Sequence, residues 1–265
     1  MTPELLAAGI RRAVIEQSRR ANVGHIGSAL SITDLLAALY AGPLAANGDG
    51  PDRDRVVLSK GHAALALYAA LELTGRLPDG TLDTYCADGS LLGVHPEREL
   101  PGVDFSTGSL GQGLPMAVGA ALAGRLQGSA RRTFAILSDA ELNEGSVWEA
   151  AMFAAHHGLG RLVVLVDVNG QQALGRTADV LDLGDVRARW EGVGWDARDV
   201  DGHDTGALIA TIAGLDLDGG RPHVLVARTT FGRGVTFMEH RIEWHYLPMT
   251  EEQHRLALAE LEGAA

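Results

Sequence analysis

Asp139 and Asn169 each follow a short run of β-branched and apolar residues, 133–137 and 162–166. Between them Val147, Trp148, Ala151 and Ala155 recur at helical spacing. The two runs read as buried strands and the segment 144–157 as a helix. A strand–helix–strand unit of this length is a crossover, which makes its strands parallel. Parallel strands put their carboxyl ends on one edge of the sheet, where open α/β folds take ligands. One carboxylate and one amide oxygen then converge on one point. A hard divalent cation such as Mg²⁺ takes a few protein oxygens and completes its octahedron with phosphate oxygens and water. The backbone carbonyl of Gln171, in the turn after Asn169, could supply a third oxygen. The competing structural reading is a helix cap at Asp139 and a turn at Asn169.

A second set of residues with chemical capacity is imidazole. His25, His62 and His95 each sit in a glycine-containing turn: Gly24-His25, Lys60-Gly61-His62 and Gly93-Val94-His95. Glycine lets backbone approach a ligand closely, and neutral imidazole can donate or accept a proton. Ser106-Thr107-Gly108-Ser109-Leu110-Gly111-Gln112-Gly113 feeds a small-residue helix, 114–126. Free N–H groups at such a helix start favour an anion, although a glycine-rich loop alone is equally a flexible connector. His245 follows Trp244 in a His- and aromatic-rich stretch. His156 and His157 read as packing and surface residues on the central helix, and His223, His240 and His254 fall in no motif.

The elements that must position these residues follow from periodicity. An amphipathic helix covers 4–21 and ends at Asn22-Val23-Gly24; residues 24–28 form a loop. Ser31 with Asp34 reads as a capping pair opening the helix that carries Leu35, Leu36 and Leu39. A strand at 55–59 turns into a helix at 63–74, and 75–105 is irregular. Beyond the central unit come a loop at 170–189, a strand near 195–200, a helix near 205–214 and a strand at 223–228. The stretch 229–248 is irregular and a last helix covers 250–262. Strands alternating with helices imply a doubly wound α/β fold, a mostly parallel sheet with helices on both faces. No repeat or linker interrupts it, so residues 1–265 are expected to form a single domain with long ligand-side loops.

Composition narrows the partners. The 265 residues are 46% hydrophobic and 21% charged, ordinary for a protein with a full core. A net charge of −12 argues against nucleic acid. The single Cys86 excludes an intrachain disulfide framework or a cysteine metal cluster. The start Met1-Thr2-Pro3-Glu4 has no signal-like region and no apolar run reaches membrane length, so the expected location is cytoplasmic, with no membrane association.

Several of these stretches resemble one family. Asp139-Ala140-Glu141, Asn143-Glu144-Gly145, Trp148-Glu149-Ala150 and Asp167-Val168-Asn169-Gly170 resemble the thiamine-diphosphate motif of transketolases. The resemblance implies that Asp139, Asn169 and the Gln171 carbonyl hold Mg²⁺ against the diphosphate of thiamine diphosphate, with Ala140 and Glu144 at the cofactor. The family has Gly where this chain has Ser138 and Ala140. We expect a turn relaxed to negative φ at Ala140, with the cofactor bound somewhat more weakly than with glycine. Gly24-His25-Ile26-Gly27 is similar to Gly-His-Pro-Gly of the family, and Leu58-Ser59-Lys60-Gly61-His62 and His95-Pro96-Glu97 match closely. The implied role of these histidines is proton transfer and substrate orientation, His62 also touching the cofactor. Residues 106–113 resemble a second glycine-rich signature, which implies that Gly108 and Leu110 lie against the diphosphate and aminopyrimidine. Trp244-His245 resembles Trp-His-Gly, with Tyr246 in place of the glycine, so His245 is a further catalytic candidate. Asp201-Gly202-His203-Asp204 also recurs in the family and is read as structural.

The resemblance spans roughly 20–250 and implies the N-terminal, diphosphate-binding subunit of a split transketolase. It further implies a separate C-terminal subunit carrying the aminopyrimidine domain and the activating Glu, assembled as α₂β₂. The implied reaction transfers a two-carbon ketol unit from a ketose phosphate, a small-molecule sugar phosphate, to an aldehyde. Two alternatives stand beside it. One is another thiamine-diphosphate reaction in a biosynthetic pathway, with acyl or ketol transfer to a carrier protein. The other is a non-catalytic paralogue that regulates a partner.

Overall fold

The central strands are near-continuous apolar runs because both of their faces are covered. In the computed structural model, which describes residues 1–44, 48 and 50–263, the chain opens with α1 (Pro3–Ala21), α2 (Ile26–Ser31) and α3 (Thr33–Ala41). There follow β1 (Arg55–Leu58), α4 (Ala64–Leu73), α5 (Gly113–Leu126), β2 (Thr133–Ser138), α6 (Gly145–His156) and β3 (Leu162–Val168). A small hairpin, β4 (Gln171–Gln172) with β5 (Gly175–Arg176), leads to α7 (Thr177–Val180) and α8 (Val186–Gly192). The chain ends with β6 (Asp196–Asp201), α9 (Thr205–Ala213), β7 (His223–Arg228), α10 (Glu243–Tyr246) and α11 (Glu251–Gly263).

Five strands form one sheet in the order β1-β2-β3-β7-β6, every pairing parallel. Alternate residues of a strand face opposite sides. Phe134, Ile136, Val163, Leu165 and Leu225 therefore pack on one face with α1, α3, α4 and α9. Ala135, Leu137, Val164, Val166 and Val226 pack on the other with α5, α6 and α8. The doubly wound, parallel architecture expected from the sequence is what forms.

Four local expectations are corrected. Residues 24–28 are only in part a loop, because His25 in the left-handed region (φ 62°) starts α2 directly. Ser31 and Asp34 make no capping box; Ser31 closes α2, and its hydroxyl bonds Asp167 on the far strand at 2.7 Å. The stretch 170–189 holds the hairpin, α7 and the start of α8. Within 229–248, α10 supplies one helical turn. Among the described residues no helix is long and apolar enough to cross a membrane.

Candidate cofactor site

The carboxyl ends of β1, β2, β3 and β7 open onto one edge, and the loops leaving them carry the candidate residues. Ser138 pairs with Asp167 across β2 and β3, so Asp139 and Asn169 emerge side by side. The backbone joins them directly: Gly170 N–H donates to Asp139 Oδ2 at 2.8 Å, and Ala140 N–H donates to Oδ1 at 2.9 Å. Gln171 N–H donates to Asn169 Oδ1 at 2.9 Å, which brings the third expected residue into the same turn. Asp139 is buried, and burial followed by the charge of Asp167 pushes its carboxyl pKa up to about 7. A carboxylate so placed, with no side-chain cation bonded to it among the described residues, suits a divalent cation. Gly170 (φ 76°) has open space where a Cβ would stand, leaving room at the backbone between Asp139 and Asn169.

Lys60 and Asp167 fall within the motifs read from the sequence, where neither was given a role. They form the hub of the site. Lys60 Nζ lies 2.5 Å from Asp167 Oδ2, and both side chains are 0% exposed. The same oxygen accepts from Ser31 Oγ and Asn169 Nδ2, each at 2.7 Å, while Thr229 Oγ1 donates to Oδ1. Asp167 thereby fixes which end of the Asn169 amide faces the turn, since its carboxylate can only accept. The one signal for this was a Lys and an Asp in apolar surroundings, and buried charges are rare unless paired.

Three of the four candidate histidines come together. The ring centroids of His25, His62 and His245 form a triangle with sides of 5.4, 5.2 and 5.5 Å. Burial is the main cause that lowers the pKa of each, His62 well below the ordinary range and His245 to about 4, with neighbouring imidazoles and Lys60 adding to it. All three are neutral near pH 7. His62 Nε2 shares a hydrogen bond with Ser28 Oγ at 2.8 Å. His25 Nδ1 is buried with no hydrogen-bond partner among the described residues. His95 makes no ring contact with the triangle but is near enough for its charge to act on His25 and His62; its ring lies against Gly108, where a Cβ would come within 2.9 Å of His95 Cδ2.

The glycine-rich loop is pinned from below. Glu141, fully buried, accepts from Ser59 Oγ at 2.5 Å and from Gly111 N–H at 2.8 Å. Gly111 holds φ 86° there, with no room for a Cβ against Ser146 and Glu144. Leu110 is half-buried beside it. Glu144, a candidate from the sequence, is exposed at the start of α6 and its side chain does not cap the helix. Ala140 lies in a single 3₁₀ turn, Ala140–Asn143, with negative φ as expected. Tyr246, at the position of the family glycine, ends α10 and needs no positive φ.

The family described as transketolase, thiamine diphosphate binding domain, matches residues 3–261. A 6-deoxy-6-sulfo-D-fructose transketolase subunit from a Clostridium species is 39% identical over 96% of this chain and 94% of its own length. An apulose-4-phosphate transketolase subunit from Phocaeicola vulgatus is 38% identical over 98% of this chain and 94% of its own. The solved transketolase of Campylobacter jejuni superposes with a TM-score of 0.90 at 27% identity, covering 98% of this chain and 42% of that one. The chain thus spans about two-fifths of the solved transketolase and nearly the whole of the two subunits.

Proposed function

The chain belongs to the transketolase family, and from that premise we propose that it is the diphosphate-binding subunit of a two-subunit, cytoplasmic transketolase. It moves a two-carbon ketol unit from a sugar bearing a terminal anion to an aldehyde acceptor. The observation that carries this reading is the meeting of Asp139 and Asn169 at adjacent parallel strand ends, bridged by Gly170, beside three neutral imidazoles. Asp139 and the side-chain oxygen of Asn169 would hold Mg²⁺ together with the Gln171 carbonyl, and Gly108, Leu110, Ala140, Glu144 and His62 would line the cofactor. Thiamine diphosphate supplies, when bound, the carbon nucleophile and the electron sink. The protein's part is to bind and orient. Asp167 and Lys60 keep the Asn169 amide in its binding orientation. The ring nitrogens of His25, His62, His95 and His245 accept from or donate to the hydroxyls of the sugar, which imidazolium could do only as a donor. The names of the two relatives, one a sugar phosphate enzyme and one a sulfosugar enzyme, support the anionic sugar class.

The activating Glu and the aminopyrimidine site belong, in this reading, to a separate chain in an α₂β₂ assembly. Leu126, Met152 and Phe153 stand exposed at the end of α5 and along α6, which supports an assembled form. Asp139→Ala, compared with wild type by calorimetry on the assembled complex, is expected to weaken Mg²⁺-dependent cofactor binding by at least about 100-fold with the fold intact. Unchanged affinity would remove the assignment. The pure chain is expected to show no ketol transfer until its partner is added, and turnover by the chain alone would overturn the two-subunit reading.

A further inference from the structure

Tyr246 is 54% exposed, yet three parts of the site meet on it. Its ring stands edge-on to His245, with centroids 5.0 Å apart and planes at 82°. Its hydroxyl donates to the carbonyl of Ala173, in the turn that joins β4 to β5. Its own carbonyl lies against Gly24, where a Cβ would come within 2.3 Å, so this backbone seats the turn that bears His25. The same stretch of chain grips the hairpin a second time, Gln171 Nε2 donating to the His240 carbonyl at 3.4 Å. Gln171 is in turn bonded through its N–H to Asn169 Oδ1.

Burial does not explain a side chain this exposed, and a surface tyrosine is free to turn to water. Here its hydroxyl instead bonds a backbone carbonyl in another loop. The two-residue strands β4 and β5 are too short to be stable as an isolated hairpin, so their position depends on such outside ties. We propose that Tyr246 is a positioning residue that couples the imidazole cluster to the oxygen set, holding His245 with its ring and the Gln171-bearing hairpin with its hydroxyl. The cofactor side of this inference rests on the function proposed above. In the absence of the tie the hairpin swings on Gly170 and Gly175, and the Gln171 carbonyl no longer keeps its place beside Asn169.

Two variants separate the parts. Tyr246→Phe keeps the ring and removes the hydroxyl; Tyr246→Gly removes both. Hydrogen–deuterium exchange of the free chain is expected to be several-fold to about ten-fold faster across 170–176 in both variants, the effect of one lost hydrogen bond. The ring-proton shifts of His245 in NMR are expected to move in Tyr246→Gly and to stay in Tyr246→Phe. In the assembled complex, Tyr246→Phe is expected to weaken thiamine diphosphate with Mg²⁺ by about three- to ten-fold. Exchange across 170–176 equal to wild type in Tyr246→Phe overturns the proposal. So does faster exchange with cofactor affinity unchanged in both variants. A wild-type complex that binds no thiamine diphosphate, while exchange and His245 shifts respond as stated, leaves the coupling in place and ends the functional reading instead.

Discussion

The two edges of the central sheet handle charge in opposite ways. At the amino-terminal edge, Arg132 bonds Asp54 at 2.5 and 3.0 Å, Arg53 bonds Asp104 at 2.6 Å and Arg161 bonds Asp218 at 2.7 Å, each pair keeping one partner in contact with water. At the carboxyl edge, Lys60 and Asp167 are wholly buried; Ser31, Asn169 and Thr229 donate to the carboxylate, and the Ser28 carbonyl accepts from Lys60 Nζ at 3.1 Å. Water can replace a lost partner at the first edge and cannot at the second. The Lys60–Asp167 pair is therefore neutralised internally, whereas Asp139 and Glu141 are buried carboxyls with no side-chain cation bonded to them among the described residues.

Breaking one pair at each edge measures that difference. Lys60→Met leaves a buried carboxylate without its cation, and removal of one partner of a buried pair costs about 3–5 kcal/mol. Arg161→Ala breaks a pair whose side chains are 33% and 82% exposed, worth about 0–1 kcal/mol. Denaturant unfolding of both variants is the check, with Lys60→Met/Asp167→Leu expected to regain part of the loss because no lone charge remains. Equal losses at the two edges would mean that water reaches Asp167.

Protonation tests the same edge with a smaller effect. His245 titrates near 6.5 when unfolded and about 4 when folded. Between those values the unfolded chain binds the extra proton, so this contribution is complete above pH 6.5 and is lost as pH falls toward 4. Asp139 and Glu141 act with the opposite sign, because burial raises their folded pKa values and the native state then holds the proton. The pH profile of the whole protein is a difference of these terms, and a variant removes the His245 one together with its effect on His62. His245→Asn should gain about 1–2 kcal/mol relative to wild type between about pH 8 and pH 5, read as converging melting temperatures. A gap that stays constant with pH would show that His245 is not desolvated.

What the sequence made legible follows from the range of the interactions. The central strands β2 and β3 were readable because a parallel strand buried on both faces is a near-continuous apolar run. That Asp139 and Asn169 would meet was readable from the βαβ crossover, while their reading as cation-binding residues rather than a helix cap and a turn came from the resemblance to the family. Asp167 was not readable, since its partners Ser31 and Lys60 come from distant parts of the chain and only the sheet order brings them together. Ser31 shows the cost: local spacing suggested a helix cap, but a buried carboxylate on another strand took its hydroxyl. Glu141 and Glu144 divide in the same way, three residues apart: Glu141 is buried inside the 3₁₀ turn and Glu144, just after it, is exposed. The hairpin at 171–176 was missed because two-residue strands carry no period, and the tie from Tyr246 is non-local.

Ala140 gives the smallest effect and sharpens the contrast within the carboxyl edge itself. Glycine in the family suggests a backbone that needs positive φ, yet Ala140 has negative φ in its 3₁₀ turn, and its N–H donates to Asp139 Oδ1. An alanine already in an allowed region gains nothing conformational from becoming glycine. Ala140→Gly should instead destabilise the chain by about 0.4–1 kcal/mol, because glycine leaves the unfolded state more freedom to lose. That corresponds to a fall of roughly 1–4 °C in melting temperature at this size. Cofactor affinity should stay within about two-fold of wild type, since a turn held by Asp139 and Glu141 on either side keeps its path and two-fold is only about 0.4 kcal/mol. Calorimetry of thiamine diphosphate with Mg²⁺ on the two assembled complexes decides it. A gain of ten-fold or more in the glycine variant would mean that the alanine methyl obstructs the diphosphate. The residue at 140 would then tune cofactor binding directly, which negative φ alone does not predict.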